Sequence, residues 1–438
     1  MRPVDRVVDL LNPELNCLHN VDADEACRRV LSGDAEGVRA IDGSFAFVTL
    51  DGTTVRMARS LDRPMRYFLA KRHEGPALFV ADRIDTLQQA LAISGLADQF
   101  HPSYTRMVPA HYIVELALVG CPDPDPTYTR FFTPTRGTLP SDLDEIGRRY
   151  IGALADEVAK WLTGLDPQSP VGVSFSGGID SGSVFLLTYW TMLRAGMAPT
   201  RLKAFVLDLG NAPDAGQARQ FLSAVNLSMF LEEIPGHLDD LDVDETLHVL
   251  EDYKTLDVEC AAMGLLLCKG IRARYPDWRH LADGDGGDEN LKDYPIEENP
   301  ELTIRSVIDN LMLYHEGWGV GRIKHSLTYS GGLSRSYVRT YAPGVKYGFA
   351  GFSPYTRPNL IEVAEAIPFA ALTGYDLPSL YALKGEVVRR GVKAITGMEM
   401  PVFPKRRFQH GVASADAMRQ GLGLSERDCR QRFERMYA

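Results

Sequence analysis

The 438-residue chain carries a formal net charge of -11, with 45% hydrophobic and 24% charged residues. That is the balance of a folded globular protein with enough length for about two domains, and the acidic excess opposes nucleic-acid binding, which needs clustered Lys and Arg to displace counterions. No run approaches the ~18 apolar residues of a membrane span, and the opening Met-Arg-Pro-Val-Asp lacks the basic-then-apolar pattern of a signal peptide. The expectation is a cytoplasmic protein with neither nucleic-acid nor membrane partners. Cys17, Cys27, Cys121, Cys260, Cys268 and Cys429 form no C-x-x-C pair, so neither a zinc site nor a disulfide framework is expected.

In chain order, Ile41 to Leu50 reads as a strand, Asp51-Gly52 as a tight hairpin turn and Thr53 to Ala58 as the return strand. Tyr67 to Ala70 and Ala77 to Ala81 supply two more short strands, with a helix near Asp85 to Leu96. Residues 1–120 thus form a small β-rich domain. Residues 121–141, rich in Pro, Asp and Thr, read as a linker unable to make a continuous helix or central strand. Residues 142–438 form the second domain, opened by a helix with candidate caps Ser141 and Asp142. Val171 to Phe175, Lys203 to Leu209 and Met229 to Ile234 are apolar runs separated by helical segments, which predicts an α/β fold with a buried parallel sheet. After about Ile304 the pattern turns mostly helical, with glycine-rich interruptions.

The most specific motif is Ser174-Phe175-Ser176-Gly177-Gly178-Ile179-Asp180-Ser181, between a strand and a helix expected to begin near Gly182. Its glycines admit an anion to the backbone, Ser176 and Ser181 add hydroxyls, and the helix start adds N–H groups, so pyrophosphate is the natural guest. Asp180 beside phosphate calls for Mg²⁺ between them. The segment fits neither the Walker loop nor the dinucleotide fingerprint. A second acidic loop, Asp283-Gly284-Asp285-Gly286-Gly287-Asp288-Glu289, follows the apolar run Trp278 to Ala282 and again suits a hard cation.

The first motif resembles the phosphate loop of the ATP pyrophosphatase superfamily, and the pair of loops is similar to that of class B asparagine synthetases and β-lactam synthetases. The resemblance implies an adenine-nucleotide-α-hydrolase-like synthetase domain that binds ATP and Mg²⁺. In it, Ser174, Ser176, Gly177, Gly178, Asp180, Ser181, Gly284, Gly286 and Gly287 cradle the phosphates. Asp180 and Asp288 carry the metal, and the backbone near Val206 and Leu207 holds adenine. Pro404-Lys405-Arg406-Arg407-Phe408 looks like the family's Lys segment, with Lys405 easing pyrophosphate departure. Asp285 stands where β-lactam synthetases place a catalytic Tyr, and Glu316 is a candidate general base. The glycine-rich stretch from Gly317 to Gly332 suggests a lid over the site.

The resemblance extends forward. Asp42-Gly43-Ser44-Phe45, Ala58-Arg59-Ser60-Leu61-Asp62-Arg63 and Leu78-Phe79-Val80-Ala81 look like the later half of the family's N-terminal-nucleophile glutaminase domain, beginning around Asp22. Arg2 follows Met1 where glutaminases carry their nucleophilic Cys, so a truncated domain without glutaminase activity is expected. Ala350-Gly351-Phe352-Ser353-Pro354-Tyr355 keeps only a Pro-aromatic pair of the segment in asparagine synthetases that carries a carboxylate and a guanidinium, and its Phe352 disfavours aspartate as acyl substrate.

The implied reaction is adenylation of a small-molecule or peptide carboxylate and transfer of the acyl group to an amine donor. The alternatives are ammonia-dependent asparagine formation, intramolecular β-lactam-type cyclisation and a non-catalytic nucleotide-binding scaffold. Homodimer formation is compatible with each.

Overall fold

The computed structural model describes residues 6–120, 124–210, 213–294, 296–298, 302–309, 337–403 and 425–437. They divide into two compact units. One comprises the chain up to Thr133 together with its end from Arg430, and the other the described residues from Pro134 to Asp309 and from Val338 to Cys429.

The first unit is built on two four-stranded sheets. Val7–Leu10, Ala77–Ala81, Arg66–Ala70 and Arg106–Met107 form one, and Thr127–Arg130, Tyr112–Ala117, Thr54–Arg59 and Ala46–Asp51 the other, each in that spatial order. Side chains alternate along the strands. Tyr67, Leu78 and Val80 join Met57, Val114 and Leu116 between the sheets. Phe68, Phe79 and Ala81 point the other way, onto Leu87 and Leu91 of the helix Ile84–Ile93. The hairpin turns at Asp51-Gly52, with Gly52 at φ 59°. Thr127–Arg130, inside the stretch read as a linker, pairs antiparallel with Tyr112–Ala117 as an edge strand.

The second unit opens with the helix Leu143–Thr163. The Asp142 carboxylate caps it, accepting from the N–H of Asp144 (2.9 Å) and Glu145 (3.2 Å). The unit's sheet has five parallel strands in the spatial order Leu231–Pro235, Leu202–Asp208, Val171–Ser174, His280–Ala282, Ala350–Phe352. Numbered along the chain, that order is 3-2-1-4-5. It reverses between the first and fourth strands, and in open α/β sheets such a reversal leaves a crevice at the strands' carboxyl ends. Both motif loops leave the sheet there.

Leu143–Thr163 packs along Leu377–Thr396 at a glycine crossing. A Cβ added at Gly391 would lie 2.2 Å from the Gly147 carbonyl oxygen, and one at Gly147 would lie 2.7 Å from that of Val387. Backbone cannot yield as a flexible side chain would. Gly391→Ala should therefore push the two helices apart and cost about 3 kcal/mol, the upper end of ordinary overpacking, read as a lower urea midpoint at unchanged slope.

Candidate active site

The first loop joins the strand Val171–Ser174 to the helix Ile179–Arg194. The helix starts at Ile179 rather than near Gly182, because Gly178 already acts as its N-cap, so Asp180 and Ser181 lie in its first turn. Gly178 has no side chain to cap the turn, which leaves the first N–H groups for an incoming anion. Gly177 adopts φ 70°, and a Cβ there would press on the backbone of Ala218. Ser176 and Ser181 hold the turn: the Ser181 hydroxyl accepts from the Ser176 N–H and contacts the Ser176 hydroxyl, both at 3.2 Å.

The second loop follows His280–Ala282. Asp283 is buried and ties the loop, accepting from the Asp285 N–H (3.0 Å) and the Ser353 hydroxyl (2.9 Å). The two loops touch. A Cβ on Gly284 would lie 2.5 Å from the Ser181 nitrogen, and one on Gly287 would lie 2.2 Å from Asp180 Oδ1. Glycine is needed at these positions so that the loops can meet, a different reason from the flexible cation-binding framework expected from the sequence.

Lys384 joins the two motifs. From the helix Leu377–Thr396 its ammonium reaches Asp180 Oδ2 (2.6 Å), Asp288 Oδ1 and Asp293 Oδ2 (3.5 Å), and the side chain is only 3% exposed. Burial opposes its charge, but the three carboxylates outweigh burial and hold its pKa well above the ordinary lysine value. The sequence did carry a signal for it. Leu380, Leu383, Val387, Val388, Gly391 and Val392 are the helix's buried stripe, and Lys384 interrupts it; a lysine at a core position demands buried anions.

Asp285 is partly buried and accepts from the Thr340 hydroxyl at 2.8 Å. Burial pushes its carboxyl up to about 6; Arg339 and Thr340 pull it down, while Glu289 and Asp288 add to the rise. Glu289 is 5% exposed, and neither of its oxygens has a hydrogen-bond partner among the described residues.

Val206 and Leu207 are buried in the strand Leu202–Asp208, which runs beyond Ser174, the last residue of its neighbour paired with it. Their side chains are spent on the core, so only backbone is offered there. Phe352 is likewise a core residue, stacked on Trp161 at 4.5 Å. Glu316, Lys405 and Gly317 to Gly332 lie outside the described residues.

Among the described residues no group of three or more His, Cys, Asp and Glu side chains is arranged to hold a metal. The two convergent carboxylates still fit Mg²⁺ in the form it usually takes on a nucleotide, with one or two protein carboxylates and the remaining positions filled by phosphate and water. Cys17, Cys27, Cys260, Cys268 and Cys429 are thiols without a disulfide, and no helix among the described residues is long and apolar enough to cross a membrane.

A glycine-serine loop and an acidic loop meet at the switch point of a parallel sheet, the place where open α/β domains bind ligands. Residues 153–339 match the family model for asparagine synthase, a span that includes both loops. The match makes this stretch asparagine synthetase-like and supports the family's general activity, ATP-dependent carbon–nitrogen ligation. Among curated proteins none matches the chain.

Removing Lys384 leaves three carboxylates facing one another in a buried place. Lys384→Met should lower the unfolding free energy by about 3–5 kcal/mol, as for breaking a buried ion pair from one side, measured by urea denaturation of the full chain.

Proposed function

We propose that the chain adenylates a substrate carboxylate, releasing pyrophosphate, and passes the acyl group to an amine without a glutaminase step. The observation that carries this reading is the convergence of Asp180 and Asp288, one from each loop, on the buried Lys384. Two carboxylates held at a phosphate-loop helix have little use unless cations and a polyphosphate complete the charge balance.

In this reading ATP lies across the switch point, its phosphates on the first-turn N–H groups and on Ser176 and Ser181, its adenine against the backbone near Val206 and Leu207. Asp180 and Asp288 would hold Mg²⁺, which supplies neutralisation of triphosphate charge. The substrate carboxylate attacks the α-phosphorus, and the bond to pyrophosphate breaks. Lys405 stabilises the departing charge, by its resemblance to the family's lysine segment, and Lys384 keeps both Asp carboxylates ionised and aimed. The neutral amine then attacks the activated carbonyl, Asp285 takes the proton released as the C–N bond forms, and AMP leaves.

The first unit serves as a glutaminase-like support. Arg59 is fully buried and spends its guanidinium on the carbonyls of Val108, Ser60, Leu61 and Arg63, while buried Arg63 pairs with Asp82 at 2.8 Å. These arginines brace backbone. The reaction is assigned to the cytoplasm, and the substrates are a small-molecule or peptide carboxylate and an amine donor.

Two outcomes test this. In an ATP–pyrophosphate exchange assay with Mg²⁺ against a panel of carboxylic acids, one acid should drive exchange in the wild type and none in Asp180→Ala; if no acid does so and ATP does not bind, the adenylation reading fails. Asp285→Asn should leave exchange intact and slow amide formation by about 10²-fold or more. Asp285 accepts a proton only as the carboxylate, and its pKa is raised to about 6. At constant concentration of neutral amine, the acyl-transfer rate should therefore fall roughly tenfold per pH unit below about pH 6, rather than near the pKa of ~4 of an unperturbed aspartate.

A further inference from the structure

In and beside the second loop, two charged side chains have hydrogen-bonding capacity that no described residue uses. Glu289 is 95% buried by its 5% exposure, and both its oxygens are buried without a partner among the described residues; the Nε of Arg339 is in the same condition. A buried carboxyl group ordinarily receives several hydrogen bonds, and leaving one without any costs a few kcal/mol.

Three observations fix the Arg339 turn beside Asp285, which shares its loop with Glu289. Arg339 precedes Thr340, whose hydroxyl donates to Asp285 Oδ2 at 2.8 Å. Both residues sit in the π-helical turn Tyr337–Tyr341, a rare geometry often found at functional sites. The turn is seated against the helix Thr255–Arg274: a Cβ on Gly264 would lie 2.4 Å from the Arg339 carbonyl oxygen, so glycine lets it approach. Burial opposes the Arg339 charge, and Cys260, Glu289, Asp285 and Asp288 outweigh it. Glu289 and Arg339 attract each other without forming an ion pair within 4 Å among the described residues.

A simple amine would satisfy Glu289 and leave the Arg339 Nε without an acceptor; a simple carboxylate would do the reverse. A molecule carrying both groups on one carbon satisfies both. We propose that Glu289 and Arg339 form the subsite for the acyl acceptor and that the acceptor is a free α-amino acid, its carboxylate on Arg339 and its ammonium on Glu289, which takes one proton to free the amine lone pair before Asp285 takes the second as the C–N bond forms. This rests on the adenylation reading above, with Asp285 as proton acceptor, and names the second substrate of that site. Fixed on Arg339, the acceptor's own carboxylate is kept from activation.

The test is isothermal titration of the full chain, with Mg²⁺ and an ATP analogue bearing a methylene between the α- and β-phosphates, against the twenty free α-amino acids. The des-amino and α-amide counterparts of each binder follow. At least one amino acid should bind, and loss of either charged group should weaken it tenfold or more. Glu289→Gln should remove the penalty for lacking the amino group only, and Arg339→Gln the penalty for lacking the carboxylate only. The proposal is overturned if the analogue binds but no amino acid does, if neither charge matters, or if a binder itself drives ATP–pyrophosphate exchange and is therefore the acyl donor. Should the variants fail to fold, the counterpart compounds on the wild type decide the matter alone. Failure of the ATP analogue to bind would count instead against the adenylation reading.

Discussion

One buried ammonium organises the second unit. Lys384 stands on the apolar face of a long helix and carries its charge to three aspartates, one from the phosphate loop and two from the acidic loop and its continuation. Each of those carboxylates would be costly without a counter-charge, and so would the lysine without them. The arrangement therefore couples helix, first loop and second loop, because moving any one of them unbalances the charges of the others. The glycine crossing with Leu143–Thr163 sets the depth of the Lys384 helix, and so how far the ammonium reaches.

Much of the architecture could be read from residues alone, because its signals are local. The strands Val171–Ser174 and Leu202–Asp208 are short β-rich apolar runs, the helix from Leu143 announces its cap at Asp142, and the hairpin at Asp51-Gly52 uses a dipeptide suited to positive φ. Local signals also placed both loops at strand ends. Strand order left no trace in the sequence, since pairing is decided by long-range packing. For that reason the crevice between Val171–Ser174 and His280–Ala282 emerges only in three dimensions.

The least legible parts of the site are those whose meaning depends on a distant partner. Lys384 is one lysine in a helix with several charges until the apolar stripe is drawn, and its partners lie 204 and 96 residues away along the chain. Phe352 shows the same dependence: its sequence position does not reveal that its ring stacks on Trp161, 191 residues earlier in the chain. Glu289 belongs to a recognised motif, but only burial distinguishes it from the solvated end of an acidic turn.

The contact between the two loops has a consequence for how such a site can diversify. With Gly284 against Ser181 and Gly287 against Asp180, any side chain introduced at either position would shift the phosphate cradle itself. Substitutions at Asp285 or in the turn that carries Arg339 meet no such contact, so the two loops can tolerate change beside them while their own junction cannot.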